Sequence, residues 1–187
     1  MSAIEEGPVP TRMEPAVPVP DDKDWTWVLD RPCAECGFDA PAVRPADLAD
    51  RILATTPRWR AALSAASAST RPAPDVWSTT EYGAHVRDVH AIFGRRARLI
   101  LDEDDPEFEN WDQDETALAA RYWLADPAVV AQELAAEAEQ TAQVFAGPTD
   151  EQWARTGRRS NGSFFTLETL GRYYLHDVEH HLHDVAH

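Results

Sequence analysis

The sequence predicts an all-α protein: a four-helix bundle with an N-terminal extension and a small hairpin before the last helix. Three observations lead there. Four long stretches carry apolar residues at helical spacing. Three of these open on capping signals, at Ser78, Asp126 and Thr166. Amphipathic helices of this length bury their apolar faces most simply against one another, as a bundle.

Composition bounds what such a bundle does. A chain of 187 residues, 43% of them hydrophobic and seven of them tryptophan, suits one domain with a substantial core. Its net charge of −16 argues against binding nucleic acid through phosphates and against adhesion to anionic membranes. No apolar run approaches the roughly 18 residues of a membrane span. The N-terminus lacks the basic and apolar regions of a signal peptide, so a cytoplasmic location is expected. Arg155, Arg158 and Arg159 form a local basic patch suited to a small anion.

Residues 1–24 read as a flexible, acidic arm, because prolines recur there without a hydrophobic period. Trp25 to Leu29 reads as a short extended piece. The first helix is expected from Pro45 to Ala66, with Leu48, Ile52, Trp59 and Leu63 on its apolar face, kinked or divided at Pro57. Residues 67–76 form a loop. The second helix starts with a capping box, Ser78 and Glu81, bracketed by the staple Trp77 and Tyr82, and runs to about Leu101. An acidic connection, residues 102–115, contains Phe108 and Trp111, which draw it back over the domain at a pocket rim. A short helix follows over Thr116 to Leu124. Asp126 and Pro127 open an alanine-rich third long helix that ends near Phe145, before Gly147-Pro148. Asn161-Gly162 signals a type I′ hairpin turn, and Thr166 caps a last helix reaching His187.

Five of the seven histidines lie in that last helix; the other two are His85 and His90 in the second. His176 and His180 share one face, one turn apart, and His183 and His187 continue the stripe within roughly 60° of arc. Imidazoles at i and i+4 can grip one divalent ion. His85 is the natural third ligand, since His90 points about 140° away from it. Glu81 or Asp88 could orient His85 or bind the ion, unless they are ordinary helix surface. Cys33-x-x-Cys36, followed by Gly37, resembles half of a zinc knuckle, but no second CxxC completes it. Histidines could complete it, yet His176 and His180 are already assigned. The pair therefore reads as two reduced cysteines in a structural loop, with a separate zinc or a functional thiol pair as alternatives.

The histidine constellation, with the stretches WSTTEYGAHVRDV, DDPEFENWDQDE, WARTGRRSNGSFFT and YYLHDVEHHLHDV, resembles the DinB-like (YfiT-like) superfamily, and more closely an actinobacterial branch of it. The resemblance spans residues 25–187 and omits the arm. It implies an up-up-down-down bundle with a three-histidine centre at His85, His176 and His180, in a chain that often forms homodimers. Imidazole ligands suit zinc or nickel as the metal. The resemblance also implies kinship with mycothiol-dependent isomerases and thiol S-transferases. The CxxC knuckle is not part of the general superfamily pattern.

The expected activity is a metal-dependent transfer of a low-molecular-weight thiol, such as mycothiol, to a small electrophile. Arg158 or Arg159 would receive a carboxylate of the cosubstrate, and Trp111 and Asp112 would close the pocket. One alternative is a hydrolase using water, with Glu81, Asp88 or Asp177 as general base. Another is a non-catalytic metal-binding, stress-associated protein, and a last one is a bundle whose histidines bind nothing.

Overall fold

The computed structural model describes Ala16, Pro18 and residues 24–186. The arm expected over residues 1–24 lies outside the described residues except for Ala16, Pro18 and Asp24. The Ala16 carbonyl accepts a hydrogen bond from Arg71 at 2.6 Å.

Four long helices form the body: α1 (Leu48–Leu63), α2 (Thr79–Asp102), α4 (Pro127–Ala146) and α5 (Leu167–Asp184), with a short α3 (Gln113–Ala119) between α2 and α4. α1 and α2 stand across the bundle from each other, and α4 and α5 each pack against both. The core between them includes Leu48, Ile52, Trp59, Leu134, Phe145 and Tyr174, all essentially inaccessible to water. α2 and α4 come close because Gly94 carries no side chain; a Cβ there would sit 2.5 Å from Thr141 Oγ1. That hydroxyl instead donates to the His90 carbonyl at 2.8 Å. No helix among the described residues is long and apolar enough to cross a membrane.

The start signals act as the sequence suggests. Ser78 and Glu81 form the capping box of α2, and Trp77 meets Tyr82 with ring centroids 5.5 Å apart. Asp126 Oδ1 accepts from the backbone of Ala128 and Val129 ahead of α4. Thr166 caps α5 by exchanging hydrogen bonds with Thr169.

Several expectations are corrected. Pro57 does not divide α1, which runs unbroken through it; Thr55 Oγ1 turns back to donate to the Ile52 carbonyl at 2.6 Å. Trp25–Leu29 is a 3-10 helix, not extended, because Asp24 Oδ1 caps it, accepting from the Thr26 N–H at 2.9 Å and hydroxyl at 2.8 Å. The fold is not strictly all-α. Three short strands, β1 (Glu107–Phe108), β2 (Thr156–Arg159) and β3 (Phe164–Thr166), form a small sheet in the order β1-β2-β3. β2 and β3 make the expected hairpin, pairing Arg158 with Phe164. Its turn is not type I′, since only Gly162 of the Asn161-Gly162 pair has positive φ (94°). The loop is three residues long, closed by Gly162 N–H donating to Arg159 O and Arg159 N–H donating to Ser163 O. β1, parallel to β2, comes from the acidic connection. The sheet thereby brings Trp111 and Arg159 to the same end of the bundle.

Candidate metal centre

α2 and α5 face each other along their lengths, and His85 of α2 meets α5 one residue away from the expected pair. A one-residue step on a helix turns a side chain by about 100°. Asp177 and His181, themselves at i and i+4, therefore face α2, while His176 and His180 face the N-terminal segment. Ligand atoms of His85, Asp177 and His181 lie within 4.8 Å of one another, and so, separately, do those of Cys33, Cys36, His176 and His180. The expected set of His85, His176 and His180 is thus distributed over two clusters.

In the first cluster His85 Nε2 is 3.6 Å and His181 Nε2 3.7 Å from Asp177 Oδ1. These separations exceed a hydrogen bond. Both ring nitrogens of fully buried His85, and Asp177 Oδ1, have no hydrogen-bond partner among the described residues. Buried polar atoms are nearly always paired. Three donors converging this way fit a divalent cation better than they fit one another. His181 Nδ1 donates to Asp184 Oδ2 at 2.8 Å, which leaves its Nε2 lone pair directed at the cluster. Trp111 lies flat on His85, with centroids 5.3 Å apart and planes 7° apart, and Trp77 packs 5.5 Å away.

The electrostatics agree with this donor set. Burial lowers the pKa of His85 and keeps it neutral, only partly opposed by Asp177. Burial works against the charge of Asp177, but His85 and the imidazoles of His181 and His176 hold its carboxyl down at about 2. Neutral imidazole and ionised carboxylate are the forms that bind metal.

Asp177 and His181 form part of the wall of a cavity of about 780 Å3. Trp111, Asp112 and Arg159 line it. Arg159 is the one arginine or lysine among its described lining residues. It is held by hydrogen bonds to Asn161 Oδ1 and Ser163 Oγ, each 2.9 Å, and lies over the rings of Phe165 and Tyr173. Arg158 is its neighbour on the strand and points away, pairing with Asp105 at 2.9 Å. Asp112 is exposed and caps α3 through Glu115 N–H.

Glu81 is sequestered by the cap and by Arg71, 2.5 Å away. Asp88 accepts from Arg87 at 2.8 Å and from the Tyr122 hydroxyl, and lines a different cavity of about 510 Å3 beyond Trp111. His90 is a core histidine against the Tyr174 hydroxyl, and burial lowers its pKa to about 3. His183 is half-buried at the end of α5, and His187 lies outside the described residues. A search of the sequence for histidine pairs passes over Asp177 as a candidate ligand. The signal was present, because Asp177-x-x-x-His181 has the same spacing as His176-x-x-x-His180.

Comparison with known proteins gives the same picture of the fold. The family model described as the DinB superfamily matches residues 48–185, α1 through α5. A solved structure from Bacillus subtilis, YfiT, described as a probable metal-dependent hydrolase with an unusual four-helix bundle topology, superposes with a TM-score of 0.66 at 19% identity. The match covers 76% of this chain and 85% of that one. Among curated proteins none matches the chain.

Proposed function

From the premise that the chain belongs to the DinB superfamily, we propose that it is a divalent-metal-dependent enzyme acting on a small molecule, with His85, Asp177 and His181 as the metal ligands. The observation that carries this reading is the convergence of three donors, buried His85 and half-buried Asp177 and His181, the first two with orphaned buried atoms, beside a cavity. A divalent ion there, zinc or nickel, would lower the pKa of a thiol or water at an open position and so supply a nucleophile near neutral pH.

The nucleophile is proposed to be a low-molecular-weight thiol of the mycothiol kind, added to a small electrophile. A cavity of about 780 Å3 has room for two organic reactants. Arg159 would orient a carboxylate of one reactant through its guanidinium, already held in place by Asn161 and Ser163. Trp111 covers His85 and keeps water from that ligand. Asp184 fixes the His181 tautomer. Asp88 and Arg158, committed elsewhere, have no part in it.

A second reading is hydrolysis. Two histidines with one carboxylate is a donor set used by zinc hydrolases, and the superposed Bacillus subtilis protein is described as a probable metal-dependent hydrolase. Product formation with and without added thiol, on zinc- and nickel-loaded protein, separates the two. Thiol-dependent product supports transfer, and product without thiol supports hydrolysis. In either case His85→Ala and His181→Ala should lower turnover about 100-fold or more, since the bound ion supplies several kcal/mol of transition-state stabilisation. Unchanged turnover in both variants would remove the assignment.

A further inference from the structure

The second donor cluster shares no ligand with the proposed catalytic centre, although its His176 and His180 line the same cavity. We infer that Cys33, Cys36, His176 and His180 form a four-ligand zinc site whose role is structural, fastening the N-terminal segment to the last helix.

The spacing is that of a Cys2His2 site: Cys-x-x-Cys on one segment and His-x-x-x-His on a helix. The Cys-bearing loop has knuckle geometry. Cys33 N–H donates to Phe38 O at 2.8 Å, Gly37 N–H donates to Cys33 O at 2.9 Å, and Gly37 adopts a positive φ of 75°. Only glycine takes that φ without strain, and the turn aims both sulfurs at α5. Cys33, His176 and His180 are all buried and Cys36 is half-buried. The four ligand atoms lie within 4.8 Å of one another.

The distances suit zinc. Bonds of about 2.3 Å to sulfur and about 2.0 Å to nitrogen set tetrahedral donors roughly 3.3–3.8 Å apart. Cys33 Sγ and His180 Nδ1 stand 3.6 Å apart. His176 Nε2 is buried and has no hydrogen-bond partner among the described residues. The outer face of His180 is also arranged for this role. Its Nε2 lies 3.4 Å from Glu35 and 3.7 Å from Asp184, carboxylates whose charge favours the proton on that nitrogen while Nδ1 turns inward. Trp25 and Phe38 pack on the two imidazoles, with centroids 5.0–5.6 Å apart.

Cys33 and Cys36 precede residues 48–185, the part of the chain matched to the family. The site therefore ties a segment outside the matched region to a helix within it. With four protein ligands, two of them thiolates, it is complete without water or substrate, which is the arrangement of a structural centre.

The test is cobalt substitution of the full, untagged chain, with zinc content measured alongside. Reloaded wild type should show a thiolate-to-cobalt charge-transfer band and the intense visible bands of a tetrahedral ion. The Cys33→Ser/Cys36→Ser chain should lose that band and one equivalent of zinc. His181→Ala, which acts on the other cluster, should leave the band intact whether or not the proposed catalytic ion exists. A wild-type protein with no charge-transfer band overturns the inference, and so does a double cysteine variant that retains all of its zinc. Should the double variant fail to fold, the wild-type spectrum decides alone.

Discussion

At the scale of single residues, side chains are set apart by which partner reaches them first. Glu81 looked like a metal neighbour in the sequence, since it precedes His85 by one turn. The structure commits it to Ser78 and Arg71 instead. Burial opposes its charge, but the Arg71 guanidinium and the Ser78 hydrogen bonds outweigh that and hold its carboxyl below the ordinary 4.5. The stabilisation is therefore whole above that pH and is lost as the pH falls through the folded value. Glu81→Gln should cost about 3 kcal/mol near neutral pH, the scale for stripping one partner from a buried pair, and the deficit should shrink in acid. Urea titrations of both proteins at neutral and acidic pH check this. The ligand assignment is legible in the same way, once rotation is counted. The sequence places two i, i+4 pairs side by side on α5, offset by one residue, and cannot say which pair faces α2. That depends on how the helix is rolled in the bundle, a tertiary property. Metal analysis of single variants reads the roll directly: His85→Ala and His176→Ala should each release metal, and the two losses should add in the double variant.

At the scale of elements, helix starts were legible because capping is local chemistry. Asp126→Ala should destabilise the chain by about 1 kcal/mol, measured by thermal or urea unfolding, because Ala128 and Val129 lose their side-chain acceptor. Close packing of α2 on α4 was not legible, since a glycine inside a helix gives no hint of what passes over it. Gly94→Ala drives a methyl into Thr141 and should cost about 1–3 kcal/mol. Adding Thr141→Ala should recover part of that loss, so the double variant should be less destabilised than the sum of the singles. Strict additivity would mean that the two residues do not meet. The extended reading of Trp25–Leu29 failed because five residues carry too little periodicity to outweigh one capping aspartate. The sheet was half legible. The hairpin follows from Asn161-Gly162 and its neighbours, but β1 is two residues long and pairs with a strand about fifty residues away. No local pattern encodes such a pairing.

At the scale of the molecule, the bundle was readable because four long periodic stretches leave few ways to bury their apolar faces, and the family because the histidine constellation and its flanking stretches resemble it. What the sequence could not supply was the division of one histidine-rich helix between two clusters, because that depends on the knuckle folding back onto α5. Both clusters join elements that are distant in sequence, α2 to α5 and the N-terminal segment to α5. Chelator treatment should therefore lower the melting temperature, and restored zinc should raise it in proportion to the logarithm of free zinc. A melting temperature indifferent to zinc would show that neither cluster binds it in the folded state. Each cluster also lies against its own indoles: Trp111 and Trp77 on His85, and Trp25, stacked on Trp27, on His176 and His180. Tryptophan emission is quenched by a paramagnetic ion close to the ring, so the protein contains two sets of optical reporters, one per cluster. In a Trp77→Phe/Trp111→Phe chain the cobalt-induced quenching should report filling of the Cys33–His180 cluster, and in a Trp25→Phe/Trp27→Phe chain that of the His85–His181 cluster. The order in which the two fill can then be followed in one cuvette.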